Sequence, residues 1–353
     1  MPNLRELLQV MTEKHASDLH VAAGSPPQFR IDGELVVIGA EPLTDSQAKE
    51  LCYEFLPPDQ IKLFEKEQEL DLSFSVGGIS RFRANLYRQK DSVAGSFRAI
   101  PFGIPPPDRL GVPPSVVALT RKPYGLVLVT GPTGSGKSTT LASLLDQINA
   151  TRQVHIMTIE EPIEFTHEPK KAFISQREVG RDTGGFTRAL KHILRQDPNV
   201  IMIGELWDLE TMEAALTIAE TGHLVFATLH TNGAVPTINR IIDAFPPHQQ
   251  AQVRTQLSFV LQGVVSQQLL PKIGGGRALA TELLIPNMAI YNLIRENKVH
   301  QISSLMQTGQ QESGMITMNQ AMASLVQKKL VAYEIALARS TDPAEFQRIC
   351  PKV

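Results

Sequence analysis

Short apolar runs recur along the middle of the chain, and stretches of helical spacing fill the intervals between them. Leu126-Val-Leu-Val-Thr130, Val154-His-Ile-Met-Thr-Ile159, Val200-Ile-Met-Ile203 and Leu224-Val-Phe-Ala-Thr-Leu229 are near-continuous in hydrophobicity. Runs of that kind suit strands covered on both faces. Between and after them, Thr139–Ile148, Thr187–Arg195, Leu209–Glu220 and His248–Leu269 carry apolar residues at helical intervals. In the first of these, Leu141, Leu144, Leu145 and Ile148 share one face. The alternation predicts an α/β domain with a mostly parallel sheet and helices on both sides. From about residue 287 the pattern is helical, with breaks at Gly309 and Gly314.

The amino-terminal hundred residues follow a different rhythm. Asp18-Leu-His-Val and Gln28-Phe-Arg-Ile-Asp-Gly-Glu-Leu-Val read as strands around an Asp32-Gly33 turn, and Asp45–Phe55 and Asp59–Lys66 as helices. Ser80–Arg88 alternates: Phe82, Ala84 and Leu86 face one way, Arg81, Arg83, Asn85 and Tyr87 the other. Val93–Ile100, which carries Arg98, is placed to pair with it across a turn at Lys90-Asp91. These elements predict a smaller α/β module on an antiparallel sheet. Six prolines in the fourteen residues 101–114 mark the seam. The expectation is a semi-rigid linker without regular helix. The predicted organisation is an amino-terminal domain over 1–100, a proline-rich linker over 101–115 and a larger domain over 116–353.

Composition narrows the function classes. The 353 residues are 42% hydrophobic and 20% charged, as in a globular protein, and are enough for two cores. Lys and Arg total 34 against 36 Asp and Glu, a net charge of −2 that advertises no basic strip for nucleic acid. No apolar run approaches the length of a transmembrane segment, and Met1–Val10 lacks a secretory core, which points to the cytoplasm. Cys52 and Cys350 are the only cysteines, so neither a disulfide framework nor a cysteine zinc site is expected.

The chemistry is concentrated where the predicted strands end. Gly131-Pro132-Thr133-Gly134-Ser135-Gly136-Lys137-Ser138, followed by Thr139, is a complete G-x-x-x-x-G-K-S loop between a strand and a helix. Its glycines let successive N–H groups turn toward phosphate oxygens. Lys137 reaches the β- and γ-phosphates, and the Ser138 hydroxyl suits Mg²⁺. The helix that follows adds the positive end of its dipole. Three further strands end in Glu160-Glu161-Pro-Ile-Glu164, in Gly204-Glu205 and in His230-Thr231. Phosphoanhydride hydrolysis uses carboxylates to orient water and hold Mg²⁺, and a further group near the γ-phosphate. ATP with Mg²⁺ is therefore the expected ligand. His223 and His230 sit on one strand about 23 Å apart, too far to share a metal ion. His230 is better placed as a γ-phosphate sensor or relay, and His223 serves as readily as a structural hydrogen-bonding residue.

The same segments carry a family resemblance. The phosphate loop, the acidic box Thr158-Ile-Glu-Glu-Pro-Ile-Glu-Phe165, the Walker B strand Val200-Ile-Met-Ile-Gly-Glu205 and the histidine box Ala219–Thr231 resemble those of the secretion ATPase superfamily. Ala16-Ser-Asp-Leu-His20 and Ala289-Ile-Tyr-Asn-Leu-Ile-Arg-Glu296 are similar to segments of its type IV pilus retraction ATPases. The resemblance spans nearly the whole chain. It implies a RecA-like P-loop ATPase core, a PAS-like amino-terminal domain and a cytoplasmic homohexamer peripheral to the inner membrane at the pilus base. It also implies an inner-membrane platform protein as partner, with a paralogous retraction motor as a further one. By family position Glu164 is the water-orienting base and Glu205 the Walker B acid near Mg²⁺. Arg81, Arg83 and Arg98 fall in the region whose arginines complete a neighbouring subunit's site. For these arginines a solvated strand face is the alternative.

Three positions depart from the family pattern. Glu161 stands where aspartate is usual, Tyr291 replaces the first arginine of A-I-R-N-L-I-R-E, and Trp207, the only tryptophan, replaces the arginine usual beside Walker B. Two other readings share the core. A RecA-like motor on nucleic acid predicts DNA-stimulated turnover. A nucleotide-dependent regulator of a partner motor predicts no turnover of its own.

Overall fold

The structure is a computed structural model that describes residues 3–31, 33–39, 41–100, 103–308 and 314–352. Asp32 of the predicted turn, Pro101 and Phe102 of the predicted linker and the break at Gly309 lie outside the described residues. The chain divides into two compact units, Met1–Gly103 with Pro162–Phe165, and Ile104–Glu161 with Thr166–Val353.

The first unit is built on a six-stranded antiparallel sheet in the order β3-β2-β1-β6-β5-β4. Its strands are β1 (Asp18–Ala22), β2 (Gln28–Ile31), β3 (Glu34–Val37), β4 (Glu69–Val76), β5 (Ser80–Gln89) and β6 (Ser92–Ile100). Helices α1 (Leu4–Glu13), α2 (Asp45–Tyr53) and α3 (Pro58–Glu67) contribute Leu4, Leu8, Ala48 and Phe64 to the same core as Phe29, Phe82, Leu86 and Phe97 of the sheet. The alternation of β5 is as expected: Phe82, Ala84 and Leu86 are buried, and the arginines share the opposite face. Lys90 and Asp91 both have positive φ, which suits a two-residue hairpin between the paired Gln89 and Ser92. Strand β4 is not among the predicted elements, although Leu70, Leu72, Phe74 and Val76 alternate with polar residues along it.

The second unit carries a seven-stranded sheet in the order β13-β12-β7-β11-β10-β8-β9. These are β7 (Gly125–Thr130), β8 (His155–Glu160), β9 (Phe173–Glu178), β10 (Val200–Ile203), β11 (Leu224–Leu229), β12 (Leu261–Pro271) and β13 (Arg277–Leu284). All neighbours are parallel except the β12–β13 pair. Every residue of β7, β10 and β11 is buried, as near-continuous hydrophobic runs require.

Alternate side chains point to two cores. Val127, Val129, Met202 and Phe226 meet Leu141, Leu144 and Ile148 of α6 (Lys137–Thr151), together with two short helices, α4 (Pro107–Leu110) and α5 (Pro114–Ala118). Leu126, Leu128, Ile201 and Ala227 face α7 (Phe186–Ile193), α8 (Leu209–Glu220), α9 (Ala234–Asp243), α10 (Pro247–Val260) and α11 (Met288–Arg295). Beyond α12 (Ile302–Thr308), helices α13 (Met318–Gln327), α14 (Tyr333–Arg339) and α15 (Pro343–Ile349) pack on Leu270, Ala278 and Ala280 of β12 and β13. The result is the RecA-like, doubly covered α/β sheet that the run pattern predicts.

Two expectations are corrected. The proline-rich stretch does contain helix. In α4 and α5 the prolines occupy the N-cap and the first helical position, Pro106-Pro107 and Pro113-Pro114, where no N–H is needed. The single helix expected over His248–Leu269 ends at Val260, and the rest is β12. Its apolar residues fit helical spacing, but pairing with β7 on one side and β13 on the other satisfies the backbone and overrides local periodicity.

One buried carboxylate ties this unit together. Glu282 on β13 accepts the Ala234 N–H at the start of α9 at 2.6 Å and the Met318 N–H at the start of α13 at 3.0 Å. Burial raises its carboxyl pKa above the ordinary value, while the two N–H groups pull it down. Since the folded state holds the proton to higher pH than the unfolded chain, this site contributes less stability as pH rises above the carboxylate range. Glu282→Ala leaves two buried donors unpartnered and should lower unfolding free energy by about 2–4 kcal/mol in a denaturant melt. Unchanged stability would refute the tie.

Candidate nucleotide site

The carboxyl ends of β7, β11 and β10 lie side by side, with Thr130 opposite Leu229 and Ile203 opposite Ala227. Each strand releases its polar residues at that common edge. From β7 the chain turns through residues 131–136 into α6. Gly131 has φ of +140°, and a Cβ there would lie 2.4 Å from the Gln267 carbonyl oxygen and 2.6 Å from Ser135 Oγ. No side chain fits, so glycine is required by both space and conformation. Gly134 at +79° and Gly136 at +90° are also left-handed, and Gly136 is the N-cap of α6.

The loop has a buried side and an open side. Pro132, Thr133 and Gly134 are exposed, Ser135 and Lys137 are buried, and Ser138 and Thr139 are half-buried in the first turn of α6. The Lys137 ammonium donates to the carbonyl oxygens of Gly131 at 2.8 Å and Pro132 at 3.2 Å. Its stem is thereby held beneath the loop. β12 supports this turn from below: the Gln267 backbone lies under Gly131, and its side-chain amide donates to Thr140 Oγ1 at 2.8 Å. Gln267 is a supporting residue that the sequence did not announce, because its run has the spacing of a helix.

Glu205 leaves β10 after Gly204, and His230 leaves β11 next to it. Glu205 Oε1 and His230 Nε2 are 2.8 Å apart, and His230 Nδ1 lies 3.4 Å from Thr133 Oγ1 on the loop. Burial raises the pKa of the Glu205 carboxyl, against the pull of His230 and Lys137. The two ring nitrogens of His230 thus face different partners, Nε2 the Glu205 carboxyl and Nδ1 the Thr133 hydroxyl. The imidazole therefore spans Walker B acid and phosphate loop. Trp207 stacks on its face, ring centroids 5.7 Å apart and planes 23° from parallel. Beyond His230, the Thr231 and Thr237 hydroxyls are hydrogen-bonded at 2.6 Å, securing the start of α9.

The remaining predicted residues each have surroundings of their own. Glu160 closes β8, accepting from Thr158 Oγ1 at 2.6 Å and Gln176 Nε2 at 3.2 Å, and Glu161 is exposed. Glu164 belongs to the first unit, as do the three arginines. There Arg83 on β5 is directly opposite Arg98 on β6. Arg98 Nε bonds Asp18 at 2.7 Å, Arg83 lies 3.7 Å from Asp71, and Arg81 donates to Ser73 Oγ at 2.6 Å. Burial of Asp18 opposes ionisation, but hydrogen bonds from Ser17 and Arg98 outweigh it and leave its pKa lowered. Asp18, within the Ala16–His20 motif, is thus the anchor of Arg98.

His223 lies at the other end of β11, where its Nδ1 is 3.1 Å from both the Ile218 carbonyl oxygen and Thr221 Oγ1. Among the described residues no group of three or more His, Cys, Asp or Glu is placed to hold a metal ion. Tyr291 donates its hydroxyl to the Leu261 carbonyl oxygen at 3.2 Å, joining α11 to the start of β12.

A parallel sheet whose first strand opens into a glycine loop and helix, flanked by a Walker B acid, defines a P-loop ATPase of RecA type. Residues 113–336 match the model of the type II/IV secretion system protein family. The chain is 48% identical over 344 residues to the pilus retraction ATPase PilT of Pseudomonas aeruginosa, covering 98% of this chain and all of that one (100%). It is 45% identical over 315 residues to a twitching motility protein of Neisseria gonorrhoeae, covering 89% of this chain and 84% of that one. A crystal structure of the pilus retraction motor PilT with bound ADP superposes with a TM-score of 0.93 at 51% identity, covering 99% of this chain and 100% of that one. The chain belongs to the type II/IV secretion system protein family, within its PilT branch of ATPases.

Gly131→Ala should weaken nucleotide binding at least about tenfold in a calorimetric titration, because the added methyl forces the cradle open. Unchanged affinity would show that the turn is not the binding element.

Proposed function

We propose that the chain is a motor ATPase that binds ATP with Mg²⁺ and couples its hydrolysis to retraction of type IV pili. The observation that carries this reading is the convergence of Lys137, Glu205, His230 and Thr133 at the carboxyl edge of one parallel sheet. In this reading the backbone of residues 131–139 and the dipole of α6 cradle the phosphates, and Lys137 turns from the loop carbonyls to the β- and γ-phosphates. His230, hydrogen-bonded to Glu205, reports the γ-phosphate to the start of α9. Glu164 orients the attacking water.

Ser138 and Glu205 offer oxygen donors that fit Mg²⁺. A site with one or two protein oxygens suits this ion, which keeps several waters and takes phosphate oxygens. When bound, it neutralises charge building on the phosphates. Arg81, Arg83 and Arg98 serve a neighbouring subunit of a homohexamer, arginine being permanently charged and forked toward phosphate oxygens. The assignment includes a PAS-like domain over 1–100, a linker over 101–115 and an ATPase domain over 116–353. No helix of the described residues is long and apolar enough to cross a membrane. The proposed setting is the cytoplasm, at the inner-membrane base of the pilus, with a platform protein and a paralogous retraction motor as partners.

Glu205→Ala should keep nucleotide affinity and lose hydrolysis by about a hundredfold, since it removes an electrostatic contact near the reacting phosphate and leaves the cradle intact. Normal phosphate release by this variant would overturn the Walker B assignment. Shared sites give a second expectation. Lys137→Ala and Arg83→Ala subunits, each inactive alone, should recover partial activity when mixed, because some interfaces then join a sound loop to a sound arginine. No recovery in rings shown to be mixed would place Arg83 outside its neighbour's site.

A further inference from the structure

Trp207 is the only tryptophan of the chain, and its side chain is held at the site although the residue is 61% exposed. Its backbone is fixed from three directions. The preceding Leu206 N–H donates to the Thr228 carbonyl oxygen at 3.0 Å, which ties the segment to β11. The following Asp208 caps α8 through the Thr211 N–H at 2.8 Å. Arg240 of α9 reaches the Trp207 carbonyl oxygen at 3.4 Å. From that position the indole lies against the His230 imidazole, 5.7 Å between centroids and 23° between planes.

The stack bears on the function of the imidazole. His230 serves two partners in different directions, Glu205 from Nε2 and Thr133 from Nδ1, so both contacts require one orientation of the ring. A rotation about the ring torsion, which is broad for histidine, breaks both at once. A flat apolar surface along one face restricts that rotation and leaves the edge nitrogens free. Indole is the largest such surface among side chains, and near-parallel aromatic pairs add attraction beyond their buried area.

We propose that Trp207 is a positioning residue for ATP hydrolysis, keeping the His230 ring in the plane that joins Glu205 to Thr133. This rests on the reading of His230 as part of the hydrolytic site, and Trp207 itself touches no reacting atom.

The test is steady-state hydrolysis of ATP by the full-length chain and the variants W207A, W207F, H230A and W207A/H230A. W207A should lower kcat about five- to tenfold with KM for ATP within about twofold, and W207F, which keeps a stacking face, should stay within about twofold of the parent. H230A should lose at least as much as W207A, and the double variant should lose no more than H230A, because without the imidazole there is nothing to position. The emission of Trp207 should also differ between the parent and H230A, since the contact is direct. If H230A leaves kcat unchanged, the reading of His230 fails and the proposal with it. If H230A falls while W207A does not, the hydrolytic reading stands and the positioning role is overturned. That role is likewise overturned if the two losses multiply in the double variant, if W207F is as slow as W207A, or if the emission spectra coincide.

Discussion

The parallel register of β7, β11 and β10 is the constraint from which the site follows. Thr130 is opposite Leu229, and Ile203 is opposite Ala227, two residues before β11 ends, so three chain segments leave the sheet along one edge. Each strand is buried along its whole length, and burial of apolar surface at roughly 25 cal/mol per Å² makes a shift of register costly. Because the strands cannot slide, the loop, Glu205 and His230 cannot drift apart. A single imidazole then bridges the three segments, with the carboxylate at 2.8 Å on one side and the loop hydroxyl at 3.4 Å on the other.

Support for this edge comes from residues remote in sequence. β12 places the Gln267 carbonyl where it excludes any side chain at position 131, and its amide holds Thr140 in the first turns of α6. Glu282, on the neighbouring strand, secures the start of α9, the helix that follows His230 after a short turn. The strands that bind no nucleotide in the proposed reading thus set the geometry of those that do. This is preorganisation by a second layer, in which the scaffold holds Thr140 and the start of α9 in place before any ligand arrives.

Much of this was legible in the sequence. Leu209–Glu220, Leu224–Leu229 and Val200–Ile203 occupy the predicted bounds, because fully buried strands and a capped amphipathic helix leave strong local signals. The phosphate loop was legible for another reason: its glycines are demanded by φ and by space, so the spacing itself encodes the turn. What stayed hidden depends on tertiary pairing. β12 has the periodicity of the helix before it and becomes a strand through its neighbours on both sides. β9 is an edge strand of mostly half-buried residues and has no apolar run to betray it. The partners of the arginines were equally invisible, since Asp18 and Arg98 lie 80 residues apart. Trp207 stands out in the sequence as a departure from a family pattern, and only the fold shows the ring it lies against.

The departures at Trp207 and Tyr291 leave the phosphate loop and Walker B acid untouched, and each side chain makes its own contact within the second unit. In the proposed reading, an intact loop and acid belong to a chain that completes the ATPase cycle itself. Pilus retraction in a cell lacking its own retraction motor measures this most directly, with the wild-type chain and Lys137→Ala compared at equal expression. Restored retraction by the wild type and none by Lys137→Ala is the predicted result. Equal restoration by both, or none by a wild-type chain that hydrolyses ATP, would contradict it.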